Sequence, residues 1–513
     1  MAASLQPAGG GRPLLSIVVL VYNTAEYLAE CFDSLLGQRY EQIEVIAIDD
    51  ASTDDSLAIC RAYESRDPRF RCVARTRNEG GAMVGNQGVA MARGEYVAIV
   101  DSDDVVTFEG YSRLMSEAVI TSADIVMGRA TRLEDGIVSA VSFLYEPFVW
   151  TRRRVLASVH DFPDVTHDCF YWNKIFRRDF LLQNRLGMVP GLLYADRPFI
   201  HKAYFYSSKT VIVPDLVYLW RIRSVGANVS ISQNNANAAN YADRIHSMLI
   251  EWEDFEEVEG AEEYRRLIAL SNMQRALHVI PNIAASPSFR QAFIEGIGKL
   301  LACYGDLDFR ALGVRRQLYL RLLKLGKIEE LCYLLGLPVQ GRMVELDGDC
   351  YWQQPFLDNI EVPVERALLR LDFPNIGFFQ LIELASAEGH LLVDLSLPDA
   401  VMRRCELAFE MQPLGGEASV PLVPQGRVAA GIYRFSLPWG AMAKQTEATL
   451  LGLVLHYRSG QVRGHYRVGQ ALLGPAARAA LPLMLGEGWQ LLFSQEAGGL
   501  GMQWLDGGGD GAS

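Results

Sequence analysis

No Cys-x-x-Cys pair occurs anywhere in this chain of 513 residues. Its eight cysteines, Cys31, Cys60, Cys72, Cys169, Cys303, Cys332, Cys350 and Cys405, are scattered. That pattern excludes a disulfide framework and a zinc ribbon and fits buried thiols in a reducing compartment. Uninterrupted apolar runs of about eighteen residues are also missing, so no transmembrane helix is expected. The opening stretch MAASLQPAGGGRP lacks the charged start and apolar continuation of a secretory signal. Positive charge is in deficit, with a formal net charge of -13, which argues against non-specific nucleic-acid binding and against docking on anionic lipid through bulk charge. Local basic clusters remain at Arg152-Arg153-Arg154 and at Lys174, Arg177 and Arg178, and a solvated helix face accounts for them as well as a ligand does. A cytoplasmic location is expected.

What is present is globular: 50% hydrophobic and 21% charged residues. The length implies roughly two or three domains. From Leu14 to about Met127, apolar strand-like runs (14–21, 43–48, 70–74, 96–100, 123–128) alternate with helical patterns over Glu26–Leu36, Ser56–Tyr63, Ala82–Ala92 and Tyr111–Val119. Such β-α-β alternation predicts a mostly parallel sheet covered by helices. Residues 129–235 are less regular, and a helical pattern follows to about Leu335. Short alternating runs such as GHLLVDLSL, CELAFEM, GIYRFSL and ATLLGLVLHY then predict a C-terminal all-β, sandwich-like domain. The expected organisation is a flexible start (1–12), an α/β domain (13–235), a helical linker (236–345), a β-rich domain (346–504) and a disordered tail (505–513).

The chemistry concentrates at strand ends. GEYVAIV runs into Asp101-Ser102-Asp103-Asp104, placing an acidic cluster where a buried strand stops. In open α/β sheets these carboxyl ends border the ligand crevice. Asp101 and Asp103, at i and i+2, suit a hard divalent cation that also binds phosphate oxygens. The first strand ends in Val21-Tyr22-Asn23, and the second in Asp49-Asp50-Ala51-Ser52-Thr53-Asp54. Together the three tips bring an aromatic ring, an amide and several carboxylates to one crevice, where a carboxylate can accept a uracil imide N–H or a ribose hydroxyl. Turn formation and helix capping by Ser52 or Asp54 is the competing structural role. Other nucleotide chemistries lack their motifs. A G-x-G-x-x-G turn is replaced by VYNTAEY, and no G-x-S-x-G elbow occurs. The only glycine run resembling a nucleotidyltransferase loop, Gly9 to Arg12, precedes the first strand instead of following it.

Residues 14–128, through SIVVLVYNTAEYLAECFDSLLGQRYEQIEVIAIDDASTDDS and NEGGAMVGNQGVAMARGEYVAIVDSDD, resemble the nucleotide-binding half of family 2 inverting glycosyltransferases with the GT-A fold. The resemblance implies that Asp50, with Asp49 beside it, contacts the base, that Asn86 lines the nucleoside pocket, that Asp101 approaches ribose or metal with Ser102 beside it, and that Asp103 is the principal ligand of Mn2+ or Mg2+. One departure is Gly85, where the family carries arginine before that asparagine; Arg75 or Arg77 is the nearest substitute. FYWNKIFRRDFL (170–181) is similar to the family's acceptor-side segment, implying roles for Trp172, Asn173 and Lys174. Tyr194-Ala195-Asp196-Arg197-Pro198-Phe199 resembles the E-D-x-P-F element of the catalytic base, with Ala195 in place of Glu and Asp196 kept. VYLWRIRSVGANVSISQ (217–233) resembles an element of teichoic-acid and capsule-type members, implying that Arg221 and Arg223 grip the diphosphate.

The expected activity is thus metal-dependent inverting transfer from a nucleotide-diphosphate sugar, a UDP-sugar by preference, to a hydroxyl of a surface polysaccharide, teichoic acid or related polyol-phosphate polymer. The rival from another class is an inactive scaffold or glycan-binding protein with the same fold, which Ala195 and Gly85 support. Peripheral contact with the inner face of the cell membrane and self-association through the β-rich domain complete the expectations. His167 and His201 are assigned no metal role, since a lone histidine is more often structural.

Overall fold

The computed structural model describes residues 12–504 except 135, 140–148, 224–235, 285, 337–342, 355, 372–379, 414–418, 439–449, 460–461, 469–472, 474, 486–488 and 495–498. Residues 224–233 of the stretch read as capsule-type, and the tail 505–513, lie outside the described residues. The chain divides into two compact units, Met1–Leu307 and Asp308–Ser513.

The first unit is built on one mixed sheet. β1 (Leu15–Val21), β2 (Ile43–Asp49), β3 (Phe70–Ala74) and β4 (Tyr96–Asp101) lie in the order β3-β2-β1-β4, all parallel. Every residue of β2 is buried, as a strand covered on both faces requires. The connecting helices are α1 (Ala25–Leu36), α2 (Ser56–Arg66) and α3 (Gly81–Met91). In α1, Leu28, Cys31, Phe32 and Leu35 are buried, the i, i+3, i+4, i+7 stripe of a helix laid on a sheet. Close approach of α3 to β1 depends on Gly88, where a β-carbon would overlap the Val18 side chain.

Beyond β4 the sheet turns mixed. The two-residue β5 (Val105–Val106), α4 (Gly110–Thr121), β6 (Ile125–Glu134), β7 (Ile137–Val138) and β8 (Arg154–Leu156) precede β9 (Lys174–Arg177), which slots antiparallel between β4 and β6. α5 (Arg178–Gln183) and α6 (Asp196–Tyr206) follow, then β10 (Thr210–Ile222), parallel to β6 with its far end paired to β5. β9 and β10 thereby bring two distant stretches against the turn after β4. α7 (Ala238–Asp254), α8 (Glu262–His278) and α9 (Pro287–Tyr304) also belong to this unit. Phe255, Tyr264 and Ile268 join the sheet's own hydrophobic core.

In the second unit, α10 (Val314–Lys324) and α11 (Ile328–Gly336) lead to the hairpin of β11 (Met343–Leu346) and β12 (Asp349–Trp352). A four-stranded antiparallel sheet follows: β13 (Gln380–Ala387), β14 (His390–Ser396), β17 (Val423–Ala429) and β18 (Ile432–Pro438), in the order β13-β14-β18-β17. A seven-stranded sheet includes β15 (Cys405–Pro413), the two-residue β16 (Val420–Pro421) beside it and its long partner β19 (Leu450–Ser459). The short helices α12 (Asp399–Met402) and α13 (Pro475–Ala479) interrupt the strands, so this unit is not purely β. No described helix is long and apolar enough to cross a membrane.

Candidate active site

Parallel register brings the three acidic or polar tips together. Val21 lies opposite Asp49, and Leu20 lies opposite Asp101. Just beyond β4, Asp103 and Asp104 occupy the tight turn into β5, closed by Asp104 N–H donating to the Asp101 carbonyl at 3.2 Å.

This turn is held from below by aromatic hydroxyls and from the side by arginine. Tyr171 donates to Asp101 Oδ1 at 2.5 Å. Tyr218 donates to Asp104 Oδ2 at 2.6 Å and accepts from Asp101 N–H at 3.3 Å. Phe170, Trp172 and Tyr218 stack in series, with ring centroids 4.6 Å apart at each step. Arg221 donates its main-chain N–H to Asp104 Oδ1 at 2.7 Å and its Nε to the Asp103 carbonyl at 2.6 Å. Its Nη2 reaches Glu30 at 2.6 Å, and the guanidinium lies 4.9 Å from the Tyr27 ring centre. Arg223 Nε lies 3.0 Å from Asp103 Oδ2, an ion pair without hydrogen-bond alignment. Burial, and then the Asp103 charge, push Asp101 up to about 7, against the Tyr171 hydrogen bond. Asp104 is raised well above the carboxylate range by burial and by its two acidic neighbours. Crowding of this kind favours a bound cation.

The donor set present is therefore two hard carboxylates, Asp101 and Asp103. Among the described residues no group of three or more His, Cys, Asp and Glu side chains is arranged to hold a metal ion. Two carboxylates fit an ion that completes its shell with phosphate oxygens and water; they do not make a closed protein cage.

The other strand-tip residues are fixed as follows. Val21 is buried in the core, whereas Tyr22 is 47% exposed. Asn23 adopts a positive φ of 50° and accepts from Thr53 N–H at 2.8 Å. Ser102 shares a 2.7 Å hydrogen bond with Thr24. Asp49 is buried, with Oδ2 accepting from Ser52 N–H at 3.2 Å. Asp50 accepts from Glu79 N–H at 3.0 Å and Gly80 N–H at 2.7 Å, fastening the loop that starts α3. Arg75, bonded to Gln87 at 3.1 Å and ion-paired with Glu79, lies 3.6 Å from Asp50. The N-cap of α2 is Asp55, which makes no side-chain cap bond; Asp54 before it accepts from Ala25 N–H and Ser56 N–H, each at 3.0 Å, and so ties the starts of α1 and α2 together.

Asn86 makes a two-way amide clasp with the main chain of Met188: Nδ2 donates to its carbonyl at 2.7 Å, and Oδ1 accepts its N–H at 2.9 Å. Gly85 lies under Met188, whose terminal methyl would have to move aside for a β-carbon there. On the opposite side, Asn173 Nδ2 donates to Asp168 Oδ2 and to the Gly128 carbonyl, both at 2.8 Å. Lys174 Nζ pairs with Asp168 Oδ1 at 2.5 Å, both side chains being 0% exposed. Burial lowers the Lys174 pKa, opposed by Asp168. Trp172, Asn173 and Lys174 thus support the crevice from inside, and none of the three is more than 6% exposed.

Asp196 is the first residue of α6 and is partly exposed. Its charge raises the pKa of Asp101, after burial and the Asp103 charge. Burial raises its own pKa, offset by the Arg197 charge and N–H. His201 is fully buried, with ring nitrogens 3.1 Å from Glu251 Oε1 and from the Thr166 carbonyl, so its role is structural. Sequence reasoning overlooked Tyr171 and Tyr218, although both lie in stretches it singled out, Tyr171 just before Trp172 and Tyr218 two residues before Trp220. Their contacts to the acidic turn span 70 and 114 positions, so no local signal marks them.

Residues 16–183 match the family model described as Glycosyl transferase family 2. Glycosyltransferase GlyG of Streptococcus pneumoniae serotype 4 is 32% identical over 225 residues, covering 41% of this chain and 71% of that protein. The poly(ribitol-phosphate) beta-glucosyltransferase of Bacillus spizizenii is 27% identical over 224 residues, 42% of this chain but only 34% of its own length. Among solved structures, S. aureus TarS superposes with a TM-score of 0.56 at 16% identity, covering 96% of this chain and 85% of TarS. TarS 1–349 in complex with UDP-GlcNAc gives 0.51 at 20% identity over 66% of this chain and 97% of that one. These structural likenesses establish the GT-A arrangement of the α/β unit.

Proposed function

The chain belongs to glycosyltransferase family 2, and from that membership we propose that it moves a sugar, with inversion, from a UDP-sugar to a hydroxyl of a surface glycan or polyol-phosphate polymer. The observation that carries the reading is the acidic turn after β4, where Tyr171, Tyr218 and Arg221 hold Asp101 to Asp104 at a strand end that β1 separates from the one carrying Asp49 and Asp50. UDP as the leaving group is supported by the UDP-GlcNAc complex of TarS, and a polyol-phosphate acceptor by the name of the Bacillus relative.

In the proposed step, Asp196 takes the proton of the acceptor hydroxyl. The freed oxygen attacks the anomeric carbon from the face opposite the diphosphate. The carbon–oxygen bond to the β-phosphate breaks, and UDP departs with the electron pair. Asp103, with Asp101, would hold Mn2+ or Mg2+. When bound, the ion supplies positive charge to the departing diphosphate. Arg223, paired to Asp103, would do the same with its planar fork. Arg221 acts as a brace of the acidic turn, because its Nε and Nη2 are engaged by Asp103 and Glu30. Tyr22, exposed at the first tip, offers a ring face to the base, while Asp50 and Asn86 shape the wall of the pocket by fixing the α3 start and the Met188 segment. For the second unit we read a sandwich, supported by Phe409 of one sheet meeting Phe435 of the other at 4.8 Å.

Calorimetry with UDP, with and without Mn2+, tests the donor site on wild type and Asp103→Ala. Metal-enhanced binding that Asp103→Ala loses is expected. Transfer from a panel of UDP-sugars to poly(ribitol phosphate) then tests the base, where Asp196→Asn keeps UDP affinity and loses about a hundredfold or more in rate. Absence of binding to any nucleotide would leave the scaffold reading in its place.

A further inference from the structure

One face of α7 is turned toward the segment around Asp196. Asn240, Arg244, Ser247 and Glu251 follow i, i+4, i+7, i+11 spacing and so form a single stripe. Asn240 Oδ1 accepts the Tyr194 hydroxyl at 2.6 Å, Arg244 Nη2 donates to that hydroxyl at 3.0 Å, and Ser247 Oγ donates to the Tyr194 carbonyl at 2.8 Å. A turn further along, Glu251 Oε1 lies 3.3 Å from Arg197 Nε, and Oε2 accepts from Arg197 Nη2 at 3.5 Å. Asn272 of α8 donates to Glu251 Oε2 at 2.6 Å and accepts from Arg197. Arg197, His201, Glu251 and Asn272 are each at most 4% exposed.

We propose that this stripe is a positioning device for Asp196, gripping Tyr194 before it and Arg197 after it, with Glu251 as its principal member; this role rests on Asp196 being the base. Local structure does not fix that residue. Ala195, the N-cap of α6, carries no side chain able to cap the helix. Orientation must therefore come from tertiary contacts, and α7 supplies them on both sides. Glu251 does so at high stakes, because an arginine buried without its carboxylate would be strongly destabilising.

The same arrangement sets the charge seen by the base. Facing Asp196 are Arg197 on its own helix, Glu251 on α7, Arg275 on α8, Asp101 on β4, and Tyr171 and Lys174 beside and within β9. Arg197 and Arg275 favour the anion, whereas Glu251 disfavours it. By offsetting Arg197, Glu251 keeps Asp196 a stronger base than a bare neighbouring guanidinium would allow.

The test uses the full chain labelled with [13C]aspartate, and the carboxyl signal missing in Asp196→Asn identifies the residue. In wild type its titration midpoint lies above that of an ordinary aspartate; in Glu251→Gln the midpoint moves down, and Glu251→Asp restores it. An unmoved midpoint in a folded Glu251→Gln overturns the proposal. Tyr194→Phe removes one hydroxyl only and tests the other grip should Glu251→Gln not fold. The backbone amides of Phe199 and Ile200, the first that α6 itself bonds, then exchange about tenfold faster or more while those of α3 stay as in wild type, and unchanged exchange at both overturns the proposal. In the transfer assay, Glu251→Gln lowers kcat and leaves the UDP-sugar KM in place. Full transfer by Asp196→Asn would remove the base reading itself, an outcome separate from a failure confined to the α7 variants.

Discussion

At the scale of single residues, Asp196 makes the sharpest commitment. Burial raises its pKa and Arg197 only partly offsets this. A general base works as the anion, so acidification must remove activity as the carboxylate takes up a proton. Because the pKa is raised, that loss begins at a higher pH than the value of about 4 at which an unperturbed aspartate titrates. The expected result is an acid limb in kcat/KM displaced upward from that value and absent from the residual rate of Asp196→Asn. A wild-type profile that stays flat down to about pH 4 would remove the assignment. Gly85 and Ala195, the two departures that favoured an inactive scaffold, lie against the Met188 methyl and in the hydrophobic core, respectively.

Between elements, the turn after β4 is only as ordered as β10 and the segment leading into β9 make it. Among the described residues, Tyr218 is the hydroxyl that touches both the Asp104 carboxylate and the Asp101 N–H. Tyr218→Phe keeps the ring stack on Trp172 but leaves a buried carboxylate short of a donor, at a cost of about 1–3 kcal/mol. Urea unfolding measures that loss, and calorimetry should show weaker Mn2+-dependent UDP binding; unchanged values in both would remove Tyr218 from the support of the turn. The parallel half of the sheet was legible in sequence because continuous apolar runs and amphipathic helices are local signals. The helical pattern over Glu26–Leu36 corresponds to α1 at Ala25–Leu36, and that over Ala82–Ala92 to α3 at Gly81–Met91. Insertion of β9 between β4 and β6 was not legible, since KIFR carries no mark of its antiparallel neighbours. The acidic strand end was visible in the same way, whereas the grip of α7 on Tyr194 and Arg197 joins residues dozens of positions apart and leaves no periodic trace near Asp196.

At the scale of the whole molecule, the boundary after Leu307 assigns α7, α8 and α9 to the unit that holds the crevice. A fragment of residues 1–307 is therefore expected to unfold cooperatively and to bind UDP with the affinity of the full chain, checked by thermal melts and calorimetry. A fragment ending at residue 235, without these helices, should lose both, since the carboxylate that balances the buried Arg197 goes with them. The contact between Gly85 and Met188 carries a consequence for substitution that differs on its two sides. A β-carbon at 85 meets the terminal methyl of an unbranched thioether side chain, which can turn aside. Met188→Ala instead empties a buried site, at about 2–5 kcal/mol. The glycine side of this contact is therefore the one that yields: alanine at 85 is expected to cost less stability than alanine at 188.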